Sequence, residues 1–280
     1  MNQEHRLSNE QIESFRENGF LNYGKRVLSD DELNDLRQAL DRVMKGESDA
    51  QPERIANISA GQSSGSVVTQ VVNIWEAEPA FRRHLFQPAI VGMVAQLMGG
   101  AETVRVWHDQ VQVKPAKIGG PTIWHQDHPY WPVIQPADLV SAWVALEDAT
   151  LENGCMRMVR RSHQWGAYKG DGTVGSDETT WGPDYDPSQV PEGETVEVVP
   201  VPVKAGSVVF HHCLTWHGAP PNPTDSPRPA IAVHYMPGHT RYEPTEKGHL
   251  VERHITVKPG EPLTGDHFPT VLDHGRLVTV

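Results

Sequence analysis

Hydrophobic positions in the first hundred residues recur at helical spacing. Ser8-Asn9-Glu10-Gln11 reads as a capping box, and Ile12, Phe15 and Phe20 follow it roughly a turn apart. Ser29 or Asp30 can cap a second helix, whose Leu33, Leu36, Leu40, Val43 and Met44 form one apolar stripe. A third helical region spans residues 79–98, with Gly99-Gly100 as its stop. Residues 48–66 are polar and contain Gly and Ser, which predicts a loop.

From residue 104 the period changes to two. Val104-Arg105-Val106-Trp107 and Val111-Gln112-Val113 alternate, and residues 139–146 form a β-favouring run. Further strands are predicted at 195–203, 207–212 and 230–236, each bounded by Pro or Gly. Residues 169–193 are rich in Gly, Asp, Thr and Pro without apolar period, as expected of a lid over a site. Helices followed by many short strands describe a mainly β sandwich or barrel with a helical flank. The expected organisation is one domain over 1–280. It comprises a mainly helical flank at 1–103, a core at 104–240 with the lid-like insertion, and a C-terminal extension at 241–280.

Composition narrows the partners. The 280 residues carry a formal net charge of −12, which disfavours nucleic acid and anionic membrane surfaces. Cys155 and Cys213 are too few for a disulfide framework, nothing resembles a signal peptide, and the most apolar stretch, 88–101, is too short to span a bilayer. The expectation is a soluble, cytoplasmic protein, monomeric or homodimeric.

The candidate chemistry lies in the histidines. Trp124-His125-Gln126-Asp127-His128 is one cluster, and His211-His212 with His217 is another. On a strand, His125 and Asp127 would face the same side and offer one ion an imidazole and a carboxylate. Fifteen histidines and sixteen aspartates in 280 positions make about one His-x-Asp by chance, so the pair alone means nothing. Its context gives it weight: a His-rich segment follows, and Arg228 opens another strand 11 residues after His217. Two histidines and one carboxylate form the facial triad of non-haem Fe(II) oxygenases.

Three blocks together resemble the phytanoyl-CoA dioxygenase family of Fe(II)- and 2-oxoglutarate-dependent oxygenases. They are Trp124-His125-Gln126-Asp127; Ser141-Ala142-Trp143-Val144-Ala145-Leu146 leading to Glu152-Asn153-Gly154-Cys155-Met156 and Ser162-His163; and Gly206-Ser207-Val208-Val209-Phe210-His211 with His217-Gly218 and Arg228. The resemblance implies a double-stranded β-helix, a jelly-roll or cupin-like barrel with helices packed outside. It implies Fe(II), 2-oxoglutarate and O2, with His125, Asp127 and His217 as ligands and Arg228 on the distal carboxylate of 2-oxoglutarate. Trp143 falls beside the cosubstrate, and a looser alignment adds Gln110 and Asn73. His211 and His212 are not expected as ligands, because the family places its ligand directly before Gly. His128 would face away. Trp124, Tyr130 and Trp131 are weaker candidates for the substrate pocket.

The implied activity is oxidation of a small organic molecule, coupled to conversion of 2-oxoglutarate to succinate and CO2. A cupin-like isomerase or hydrolase using Zn or Mn would not need Arg228, and a non-catalytic binding module would not need the full set. Asp127 argues against a halogenase, which keeps a small residue there. Two departures from the family stand out: Arg160-Arg161 replaces the usual Pro-Gly, and Ala219 stands where some members have Ser. The 169–193 segment holds one Lys, no Arg and six acids (Asp171, Asp177, Glu178, Asp184, Asp186 and Glu192), so the polyphosphate of an acyl-CoA is not the expected substrate.

Overall fold

The computed structural model describes residues 5–58, 65–169 and 190–280, so most of the insertion expected at 169–193 lies outside the described residues. Both capping boxes form. Helices α1 (Asn9–Asn18) and α2 (Asp30–Lys45) start on Ser8 and Ser29, whose hydroxyls accept from the Gln11 and Glu32 amides while those side chains accept from the cap amides. Helix α1 ends on Gly19 at φ 82°, where a Cβ would lie 2.4 Å from His163 Nδ1. Phe20 therefore does not continue the helical stripe but opens strand β1 (Phe20–Arg26).

The flank is thus less helical than its pattern implies. Strand β2 (Arg54–Asn57) falls inside the stretch expected as loop, and β3 (Thr69–Val72) pairs with it. The helical region at 79–98 is broken into α3 (Pro79–Leu85) and α4 (Pro88–Leu97), because Pro88 has no N–H to carry the first helix onward. No helix among the described residues is long and apolar enough to cross a membrane.

The remaining elements are β4 (Val104–Lys114), β5 (Thr122–His125), β6 (Ile134–Gln135), β7 (Val140–Ala145), β8 (Met156–Val159), β9 (Val198–Val201), β10 (Ser207–His212), β11 (His217–Ala219), β12 (Arg228–Pro237), β13 (Arg241–Tyr242), β14 (Thr270–Asp273) and β15 (Arg276–Leu277). A large antiparallel sheet runs β1-β10-β7-β12-β4-β14-β15, with β3 also paired to β4. A smaller sheet runs β5-β11-β8-β9. This is the expected double-stranded β-helix, built from antiparallel sheets that do not close into a barrel.

The period of two in β12 divides its side chains between two jobs. Ile231, Val233 and Tyr235 join Leu33, Leu36 and Leu40 of α2 and Ile90 and Val94 of α4 in one buried cluster. Each such aliphatic side chain stabilises the fold by about 1.5–3 kcal/mol. Arg228, Ala230, Ala232 and His234 face the other way and line a cavity between the sheets. The two alanines leave the space that the site occupies.

Candidate metal and cosubstrate site

His125 is the last residue of β5, and Asp127 lies beyond the strand, at φ −71° and ψ −47°. The two side chains converge through this bend rather than through strand alternation. Gln126 between them is pinned outward, donating to Gly166 O and Leu214 O and accepting from Tyr168 N–H. His217 arrives on β11, directly opposite His125 in the sheet register. The three side chains thus meet, and Asp127 Oδ1 lies 3.7 Å from the Nε2 of each histidine.

Both imidazoles are oriented from behind. His125 Nδ1 lies 2.8 Å from Ile123 O, and His217 Nδ1 lies 2.9 Å from Thr215 O. A carbonyl can only accept, so each Nδ1 carries a proton, and each Nε2 is left turned toward Asp127 Oδ1. Burial, reinforced by neighbouring His125, pushes His217 well below the usual imidazole range. Burial alone would raise Asp127, but His217, His125 and His211 together hold it well below the usual carboxylate range. A carboxylate between two imidazoles is a donor set suited to a divalent ion.

The second oxygen of Asp127 is also held. Oδ2 accepts from Ser141 Oγ at 3.1 Å and from His211 Nε2 at 2.9 Å. His211 is therefore a partner of a candidate ligand and not itself one of the three. His212, on the opposite face of β10, packs against the His163 ring, and His128 Nε2 bonds Ile134 O at 3.0 Å. Sequence reasoning named Ser141 only as part of a family block, without this role, and missed His234 altogether.

Arg228 shares the inner cavity with the triad and with Trp143 and Gln110. Its guanidinium is 1% exposed, and its carbon lies 5.4 Å from the centre of the Trp143 ring. Among the described residues, its Nε and one NH2 nitrogen (Nη1) have no hydrogen-bond partner, and burial lowers its pKa to about 10. A wider cavity of about 720 Å³ opens from His125 and Asp127 past Tyr130, Trp131 and His249 to Arg54 and Lys247.

Two expected residues lie elsewhere. Asn73 adopts φ 51°, and its amide accepts from Trp75 Nε1 and donates to His267, so it does not line the cavity. Trp124 faces outward from β5 into a cluster with Val159 and Trp216. Ala219 does line the inner cavity. Arg160 and Arg161 pair with Glu197 at 2.7 Å and Glu194 at 2.9 Å and line neither cavity.

A second gathering of potential ligands, Glu53, His254 and His267, does not make an equivalent site. The two imidazoles stack 3.6 Å apart at 8°. Their lone pairs lie in parallel planes and cannot converge on one ion. Instead Glu53 pairs with His254 and Arg253, and Glu76 with His267.

The fold is that of the non-haem oxygenases that use Fe(II), 2-oxoglutarate and O2, and the chain is an enzyme of that class. The chain belongs to the phytanoyl-CoA dioxygenase (PhyH) family, whose sequence profile matches residues 15–230. It is 29% identical over 255 residues to the peroxisomal phytanoyl-CoA dioxygenase of Rattus norvegicus, covering 84% of this chain and 70% of that one. The crystal structure of the non-heme alpha ketoglutarate dependent carbocyclase SnoK from nogalamycin biosynthesis is 32% identical, with a TM-score of 0.74 over 95% of this chain and 96% of that one. The epimerase SnoN, crystallised with Fe3+, alpha ketoglutarate and nogalamycin RO, is 25% identical, with a TM-score of 0.74 over 93% and 97%.

Proposed function

We propose that His125, Asp127 and His217 hold the iron and that Arg228 receives the distal carboxylate of 2-oxoglutarate, with Trp143 beside it. The observation that carries this reading is the pair of unpartnered nitrogens on the buried guanidinium, in the same cavity as the triad. Leaving two nitrogens of a buried guanidinium unpartnered is costly, and an incoming carboxylate would supply the missing acceptors. A metal-dependent isomerase or hydrolase would have no use for it. Gln110 remains a candidate neighbour of the cosubstrate, at the junction of the two cavities. Ala219 supplies no hydroxyl to that carboxylate.

Bound together, iron, 2-oxoglutarate and O2 supply an oxidant able to attack an unactivated C–H bond while 2-oxoglutarate becomes succinate and CO2. The chain's own residues set the conditions. The carbonyls of Ile123 and Thr215 fix the ligand tautomers. The small side chains of Ala230 and Ala232 leave room on the sheet face, and Trp143 closes the site beside Arg228.

The substrate we propose is a free small molecule, neutral or singly acidic, bound against Tyr130 and Trp131. The outer cavity is of a size for a molecule of several rings. Arg54 and Lys247 at its mouth suit one acidic group, whereas Arg160 and Arg161, the residues most able to meet a polyphosphate, are already paired. The carbocyclase and epimerase named above, from nogalamycin biosynthesis, support this choice over the acyl-CoA of the rat relative's name. Cys155 and Cys213, buried as free thiols, support a cytoplasmic location.

The test is succinate formation with Fe(II), 2-oxoglutarate and two panels, acyl-CoA thioesters and free polycyclic acids or phenols. Substrate-dependent succinate with the free molecules is expected. Turnover confined to the thioesters would overturn the substrate reading, and failure of Arg228→Ala to weaken 2-oxoglutarate binding would overturn the cosubstrate reading.

A further inference from the structure

A chain of hydrogen bonds connects the Asp127 carboxylate to the mouth of the outer cavity, and both of its ends fix its direction. Asp127, ionised, can only accept, and Arg54 can only donate. Asp127 Oδ2 accepts from Ser141 Oγ at 3.1 Å. Having given its one proton, Ser141 Oγ must accept from His234 Nδ1, 2.7 Å away. His234 then has a lone pair on Nε2, and Gln110 Nε2 donates to it at 3.2 Å. From the other end, Arg54 donates to Gln70 Oε1, and Gln70 Nε2 donates to Gln110 Oε1. The two directions meet at Gln110 without conflict.

The chain crosses five strands that are neighbours in the sheet: β2, β3, β4, β12 and β7. Ser141 and His234 are directly opposite in register and both fully buried. Arg54, Gln70 and Gln110 line the outer cavity. Each inner link is a side chain with one donor and one acceptor engaged, so the loss of any one leaves its neighbour free to turn.

We propose that Arg54, Gln70, Gln110, His234 and Ser141 are positioning residues that act in series on Asp127, holding Oδ2 back so that Oδ1 alone faces His125 and His217. The outer end of the series lies where substrate enters. This rests on the reading of Asp127 as a metal ligand.

The test is a double-mutant cycle between the two ends of the run inward of Arg54, Gln70→Leu and Ser141→Ala, read on metal binding rather than turnover. Fe(II) affinity is measured anaerobically by chelator competition, and the Co(II)-loaded protein gives a visible spectrum that reports the ligand field. Ser141→Ala should weaken Fe(II) binding about 10-fold, within the range for lost partners of metal ligands. Gln70→Leu, which touches no ligand, should weaken it about 3-fold and move the Co(II) spectrum in the same direction. In series the double variant should bind as Ser141→Ala does, whereas independent effects would multiply to about 30-fold. Additive losses, or a silent Gln70→Leu, would overturn the proposal. Ser141→Cys replaces Ser141→Ala in the cycle if the latter does not fold. Iron retained undiminished in Asp127→Ala would instead remove the ligand reading itself, so the two failures are distinct.

Discussion

Replacing Arg228 by Met should make the cosubstrate-free protein more stable while removing its response to 2-oxoglutarate. Burial lowers this guanidinium from its ordinary strongly basic range to about 10. At 1.36 kcal/mol for each pH unit, folding the charged group costs about 3 kcal/mol. The folded form is the poorer proton binder, so the cost is present in full at all pH below 10 and is relieved only as pH rises above it. Loss of the contact with the Trp143 ring returns about 1–2 kcal/mol of that. A net gain of about 1–2 kcal/mol remains, and at about 2 °C per kcal/mol for a chain of this size Tm should rise by about 2–4 °C. With Fe(II) in the absence of O2, 2-oxoglutarate at a hundred times its Kd should stabilise the native protein by about 2.7 kcal/mol, or about 5 °C, and leave Arg228→Met unmoved. Thermal scans of both proteins, with and without 2-oxoglutarate, are sufficient. A variant less stable than the parent would show that the guanidinium is already satisfied. One that still responds to 2-oxoglutarate would show that its carboxylate binds elsewhere.

Three further outcomes are expected. Asp127→Ala should lose tight Fe(II) binding, since two imidazoles hold a labile divalent ion poorly, and metal analysis after gel filtration checks this. His84, lowered to about 4 by burial, favours its neutral form in the folded state, so stability is full above pH 6.5 and lost as pH falls toward 4. That residue alone should cost about 2 kcal/mol between pH 7 and pH 5, and urea midpoints of His84→Leu should show a correspondingly flatter dependence; identical slopes would refute it. Gly154→Ala should destabilise by about 2 kcal/mol or more, because φ is 82° and the added Cβ would lie 2.4 Å from Pro220 O, a loss readable by urea titration.

How far the sequence reveals this molecule depends on the range of each signal. His125, Asp127 and His217 stand in short motifs, and the structure brings the same three together. Arg228 is readable because a Pro-bounded strand begins at it. The roles of Ser141, His234, Gln70 and Arg54 are not legible because their partners lie across strands, and register is not written in any one strand. Asn73 was misplaced by an alignment with no local motif, and its left-handed backbone turns the amide toward Trp75 and His267. Strand β1 was hidden because Phe20 fits the stripe of α1, and only the left-handed Gly19 separates them.

The main chain around the candidate ligands has a consequence for how the protein acquires its iron. The amides of Asp127 and His128 both donate to Cys213 O at 3.0 Å, joining the segment that carries His125 and Asp127 to the one that carries His217 through main-chain hydrogen bonds. Side chains held by main-chain hydrogen bonds and by the carbonyls behind them offer the same donor set to any divalent ion. At equal supply, cobalt, nickel and zinc would displace ferrous iron from two imidazoles and a carboxylate. Which ion is loaded thus becomes a property of the cell's metal pools and of the purification. Protein prepared over an immobilised nickel resin is expected to be folded, fully metallated and inert until it is stripped and reloaded under reducing conditions.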